Sequence, residues 1–127
     1  MTMEIFKDKK GRLSGIPFVS IHKHGAISLS KYAVKQYLNG EKFCVLGYDK
    51  EKDEICIVVS TIKEHYYSFI ITYLIDGSCS ISARNFLKHF AINHDKCRRY
   101  ENIKKEGDMI TISLNSQAIS QIAGQKP

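Results

Sequence analysis

The chain has 127 residues, 43% hydrophobic and 25% charged, a balance that suits one globular domain with its own core. No apolar run reaches the ~18 residues of a membrane span. The charged start MTMEIFKDKKGRLSG lacks the apolar core of a secretion signal, so a cytoplasmic protein with no membrane partner is expected.

In chain order, PFVSIHKHG alternates apolar and polar residues and predicts a strand that ends at Gly25. The glycine allows a tight reversal, and AISL (26–29) predicts a second, shorter strand. Ser30 then reads as the N-cap of a short helix with Val34, Tyr37 and Leu38 on its apolar face. Lys31 and Lys35 lie four apart, off that stripe, and are expected in solvent. KFCVLGYD and EICIVVS alternate about the polar turn KEKD, the pattern of a hairpin.

The next stretch, TIKEHYYSFIITYLIDG, carries two patterns. Ile62, Tyr66, Phe69, Ile70, Tyr73 and Leu74 would stripe a helix, whereas the density of Ile, Thr and Tyr from Phe69 to Ile75 favours a strand. After Gly77, SCSI predicts a short strand, and Ser82 reads as the cap of a second helix with Phe86, His89 and Phe90 inward. Arg84 and Lys88 lie four apart on that helix. KCRRYEN and DMITISL complete a second hairpin with IKKEG between them, and Gly107 suits a left-handed turn position. Arg98 and Arg99 interrupt the apolar pattern, and period two sends at least one outward. Residues 1–15 and 115–127 are expected to be flexible flanks.

The same signals occur twice. At an offset of 52, Gly25 matches Gly77, Ser28 matches Ser80, Leu29 matches Ile81 and Ser30 matches Ser82. Val34 matches Phe86, Leu38 matches Phe90 and Tyr48 matches Tyr100, after which two inserted residues align EICIVVS with DMITISL. Two copies, about 17–60 and 69–114, are therefore expected within one domain spanning 1–127.

Strand, glycine, short strand, capped helix and hairpin resemble the AbrB-like swapped-hairpin family of small DNA-binding regulators and antitoxins. Gly25, Ile27 and Leu29 hold that family's glycine and alternating apolar positions, and Gly77, Cys79 and Ile81 hold them again. Two copies in one chain resemble the fused, MraZ-like members. The resemblance implies a mainly β (α+β) fold, a pseudo-twofold barrel of two β-β-α-β-β units. The sequence departs from the family where Ser30 and Ser82 replace its proline, and where Ala26 and Ser78 replace the basic residue after the glycine. The acidic-x-x-x-basic signature of the MraZ-like group is missing from both helices.

Duplex DNA is the expected partner, and the net charge of +6 favours polyanions through the summed field. The candidate contacts are Lys23 and His24 beside the first glycine, Lys31 and Lys35, Arg84 and Lys88 on the helices, and Arg98 and Arg99. Arg84 and Arg98 or Arg99 are the candidate base readers, since a guanidinium can pair two acceptors on guanine. The same charges would also serve simply as solvated faces. A protein-interaction role, antitoxin-like or inhibitory, is the alternative, and a single-stranded binder using Tyr66, Tyr67 and Tyr73 stands behind it. The state is monomer or homodimer.

No catalytic signature occurs: no phosphate loop, no HExxH and no nucleophile elbow, so neither enzyme activity nor a cofactor is expected. His22 and His24 share one strand face without an evident third metal ligand and are expected in solvent. His89 and His94 straddle the second helix's end, and His65-Tyr66-Tyr67 reads as half-buried packing. Cys44, Cys56, Cys79 and Cys97 form no CxxC and read as reduced packing residues.

Overall fold

The computed structural model describes residues 15–114. The expected flexible flanks fall almost wholly outside them. The elements in chain order are β1 (Val19–Ile21), β2 (Ala26–Leu29), α1 (Lys31–Tyr37), β3 (Phe43–Asp49), β4 (Glu54–Ser60), β5 (Phe69–Ile70), β6 (Thr72–Tyr73), β7 (Cys79–Ser82), α2 (Arg84–His89), β8 (Arg98–Tyr100), β9 (Ile103–Glu106) and β10 (Met109–Ser113). The fold is mainly β. Its strands form two antiparallel five-stranded sheets, β6-β7-β2-β1-β8 and β5-β3-β4-β10-β9.

Neither sheet closes on itself, so the expected barrel is not formed as one continuous sheet. The chain instead crosses between sheets three times, first from β2 through α1 to β3. Only Ile71 separates β5 in the second sheet from β6 in the first, and Glu101 and Asn102 separate β8 from β9. Both sheets turn their apolar residues into one cluster, where Ile21, Ile27, Leu29 and Ile81 meet Ile55, Ile57, Ile110 and Ile112. Fully burying each such side chain contributes roughly 1.5–3 kcal/mol. That outweighs anything a surface ion pair offers, at about 0–1 kcal/mol.

The register follows the sequence offset. Across β2 and β7, Ser28 lies opposite Ser80, its own counterpart at 52, and Ile27↔Ile81 and Leu29↔Cys79 exchange under the same shift. The β1–β2 pairs Ser20↔Ser28 and Ile21↔Ile27 recur as Thr72↔Ser80 and Tyr73↔Cys79 between β6 and β7. Across β4 and β10 the offset differs from the expected 54. Ile55 and Ile57 are buried, as are Ile110 and Ile112, so the matching faces lie 55 apart and three residues are inserted rather than two. A slip of one residue would have turned every side chain to the wrong face.

Several local expectations need correction. Ser30 caps α1, its hydroxyl accepting from the Ala33 amide at 3.2 Å and from the Phe18 amide at 3.0 Å. Ser82 does not cap α2: it is spent in the β7 ladder opposite Ala26, and the N-cap is Ala83, with no side-chain bond. Because α2 starts one residue later than α1, its inward stripe rotates by about 100°. Ala83, Phe86 and Leu87 are buried, while His89 and Phe90 stay exposed. In α1, Leu38 is buried, with Val34 and Tyr37 packed against the cluster as expected.

The segment expected as a turn, IKKEG, supplies strand β9, and the β9–β10 reversal is confined to Gly107 (φ +62°) and Asp108. Tyr48 and Tyr100 also part company. Tyr100 is buried opposite Val19, whereas Tyr48 donates to the Asp53 carboxylate at 2.7 Å. The strand expected over 69–75 forms as two short pieces in different sheets, β5 and β6, with Leu74 and Ile75 outside both, and no helix forms over 61–68. Among the cysteines, Cys44 and Cys79 are buried and Cys56 half-buried, but Cys97 is exposed; all four are free thiols.

Gly25 (φ +102°) and Gly77 (φ +95°) have similar backbones and different neighbours. A Cβ on Gly25 would fall 2.5 Å from Arg84 Cβ and 2.8 Å from its Cα, whereas one on Gly77 would meet Lys31 Cβ at 3.2 Å. Gly25→Ala is therefore expected to cost about 1–3 kcal/mol more than Gly77→Ala in urea denaturation, the range of overpacked sites. Equal costs would mean that the Arg84 backbone gives way freely.

Candidate nucleic-acid interface

Lys23 and His24 sit exposed at the tip of the β1–β2 turn. The turn is closed by the His22 amide donating to Ala26 O and the Gly25 amide donating to His22 O, both at 2.9 Å. Gly25 then packs against the first residue of α2, Arg84, and its carbonyl accepts from the Ala83 amide at 2.9 Å. A turn from the first half of the chain is thus seated on a helix from the second. Lys23 and Lys88 line a common cleft of about 540 Å³ with Leu87, Ile92, His94 and Asp95. Lys23, His24, Arg84 and Lys88, nominated separately from the sequence, are gathered at this one end.

Their charges are uncompensated. Among the described residues, Lys23, Arg84 and Lys88 form no ion pair; the pair that does form joins Arg98 to Asp95 at 2.9 Å. The hydrogen bond from Arg98 holds the Asp95 carboxyl below its ordinary range, so the acid in the cleft wall already has its cation. His94 Nδ1 lies 2.8 Å from Ile92 O, and since a carbonyl only accepts, that nitrogen carries a proton.

Lys31 and Lys35 are exposed on α1, as expected, but belong to the opposite end. Gly77 abuts Lys31 as Gly25 abuts Arg84. Between the two ends runs the β2–β7 ladder, so the clusters stand some 15–20 Å apart at ~3.3 Å per residue. Asp76 occupies this second turn. Its carboxylate accepts from the Ser78 hydroxyl at 2.6 Å and the Ser78 amide at 3.0 Å, which lowers its pKa, and the Lys31 charge adds to the effect.

Arg98 and Arg99 lie on the edge strand β8, and neither joins the cluster as a free cation. Arg98 is half-buried and tied to Asp95, while the exposed Arg99 places its guanidinium 3.8 Å from the Phe18 ring centroid. A cation–π contact at an exposed site is worth about 0.5–1 kcal/mol.

Three features were hidden from the sequence. Tyr66 and Tyr67 are exposed rather than half-buried, with Tyr67 stacked on His65 at 4.7 Å. Tyr73 donates to Glu41 O at 2.6 Å. His22 is half-buried rather than free in solvent, with Nε2 2.8 Å from Ser28 Oγ and Nδ1 3.4 Å from Cys97 Sγ. No local spacing announces a contact between residues 75 apart. No group of three His, Cys, Asp or Glu side chains suited to a metal exists among the described residues, and no helix among them is long and apolar enough to cross a membrane.

No protein-family model, curated protein or solved structure matches the chain.

Burial, and then the nearby His24 charge, lower the His22 pKa. The unfolded state therefore takes up a proton before the folded state does, and stability rises with pH through that window. Urea melts are expected to show stability lost as pH falls from ~6.5 toward the depressed folded value, and a smaller loss in His24→Asn. A flat profile over pH 5–7 would contradict the environment assigned to His22.

Proposed function

We propose that the chain is a DNA-binding regulatory protein, a single-chain pseudo-dimer of two AbrB-like halves that holds duplex DNA through its basic turn–helix end. The observation that carries this reading is the seating of the Gly25 turn on Arg84, which concentrates Lys23, His24, Arg84 and Lys88 without ion-pair partners among the described residues. Phosphates are the natural ligands of such a cluster, because each neutralised phosphate releases counterions. Lys31 and Lys35, about one ladder length away, extend the contact along the backbone. Duplication of an ancestral half is supported by registers that map onto themselves under offsets of 52 and 55. The ion pair and the ring stack make Arg98 and Arg99 poorer base readers than Arg84.

A second reading, a protein-interaction module, is favoured by apolar exposure at the other side chains of 62–75. Ile62, Ile70, Leu74 and Ile75 are all exposed, Ile75 at 107%. A stable protein partner recovered from nuclease-treated lysate, and lost on Ile75→Asp, would support it.

The two readings separate in titrations of a random-sequence duplex followed by fluorescence anisotropy. Binding is expected in the micromolar range or tighter, with log affinity falling linearly in log salt by about 0.9 for each phosphate contacted. Arg84→Glu and Lys88→Glu should each weaken binding at least ~10-fold and flatten that slope by about 1. Arg98→Ala should leave affinity within ~3-fold, since a surface pair is worth under ~1 kcal/mol. Absent or salt-independent binding would overturn the proposal.

A further inference from the structure

The four thiols are chemically unequal. Burial pushes the Cys44 thiol up to about 12 and that of Cys79 up to about 11, and Cys56 is raised by the same cause. All three are poor sources of thiolate at neutral pH. Cys97 alone is exposed, at the entry to β8. The β1–β8 register sets Val19, Ser20 and Ile21 opposite Tyr100, Arg99 and Arg98, and His22 and Cys97 are the residues just beyond its end. Their contact is direct, Sγ to Nδ1 at 3.4 Å. The imidazole is held from its far side by Ser28, 2.8 Å from Nε2, so β2 orients the ring that β1 presents to the thiol. In the tautomer whose Nε2–H donates to Ser28 Oγ, the Nδ1 lone pair faces the sulfur and can accept its proton. Nucleophile, base and orienting hydroxyl come from three segments, the arrangement that activated nucleophiles share.

We propose that Cys97 and His22 form a nucleophile–base pair for thiol–disulfide exchange with small anionic disulfides, which makes Cys97 a reversible modification site. The thiol passes its proton to His22 Nδ1, and the sulfur attacks one sulfur of the incoming disulfide. The Cys97 mixed disulfide forms as the reagent's own S–S bond breaks, and the departing thiolate takes the proton back from His22. One disulfide is consumed and one formed, so no further oxidant is needed. The groups around His22 favour an anionic reagent: Lys23 and His24 on its own turn, Lys96 and the ring-stacked Arg99 on the Cys97 segment, Arg84 from α2 against the turn, and the Ser28 hydroxyl from β2, with Arg98 and Asp95 offsetting each other. Asp95, the nearby acid, is occupied by Arg98. This chemistry is independent of DNA binding and is tested without DNA.

The test treats the full chain with oxidised glutathione and follows each cysteine by peptide mass analysis from pH 5 to 10. Cys97 is expected to react at least ~10-fold faster than Cys56 at pH 7, with Cys44 and Cys79 silent. Its rate should hold down to below pH 7, instead of falling away beneath the ~8.5 of an ordinary thiol. His22→Gln should slow Cys97 at least ~10-fold at pH 7, the lower part of the range for a positioned base being about 100-fold. The gap should close near pH 10, where the thiol ionises unaided. Ser28→Ala, which frees the ring, should fall between. Silent Cys44 and Cys79 in each variant report an intact fold; if His22→Gln exposes them, the wild-type pH profile decides. Equal rates for wild type and an intact His22→Gln at pH 7, or a wild-type profile centred near 8.5, would overturn the proposal.

Discussion

The antiparallel pairing of β2 with β7 is the interaction on which the other features rest. It joins a strand from early in the chain to one about fifty residues later and sets Ile27 and Leu29 beside Ile81 and Cys79, all on the buried face. The Gly25 turn reaches Arg84, and the Gly77 turn reaches Lys31, only because this ladder brings each strand's start against the other's end. Without it the first sheet would fall into the β6–β7 hairpin, a marginal structure in water, and the three-stranded piece β2-β1-β8. The basic cluster and the Cys97–His22 contact both follow from packing against this sheet.

Much of the architecture was legible because it is carried by signals that repeat at fixed spacing. Alternation gave β3 and β4, the glycines gave both reversals, and the Ser30 hydroxyl does what a capping serine does. What failed did so where a residue had two possible employments. Ser82 resembles Ser30 in context, yet the ladder claims it one residue longer, and that single step turned Phe90 outward and Leu87 inward. Ile103 to Glu106 reads as a polar turn by composition, but edge strands carry lysines readily, and pairing with β10 makes it one.

The candidate site was legible residue by residue and not as an assembly. Charge and helical spacing nominated Lys23, His24, Arg84 and Lys88, but their convergence depends on which half of the chain each turn packs against. The arginines show the converse. Side-chain type suggested base reading, whereas Asp95 and Phe18 occupy Arg98 and Arg99, contacts that period-two reasoning cannot see. Three-dimensional neighbours, rather than residue type, decide which cations remain available to a partner.

The two glycine turns also differ in a way that matters beyond either one. Assembly from identical chains would display the same turn at both extremities, and the result would read alike from left or right. Here one extremity offers Lys23 and His24, while the other offers Asp76 held by Ser78. Asp76 there offsets part of the charge of Lys31 and Lys35, so a rod-shaped polyanion laid along the strands would meet two unequal ends, and its two directions would not be equivalent.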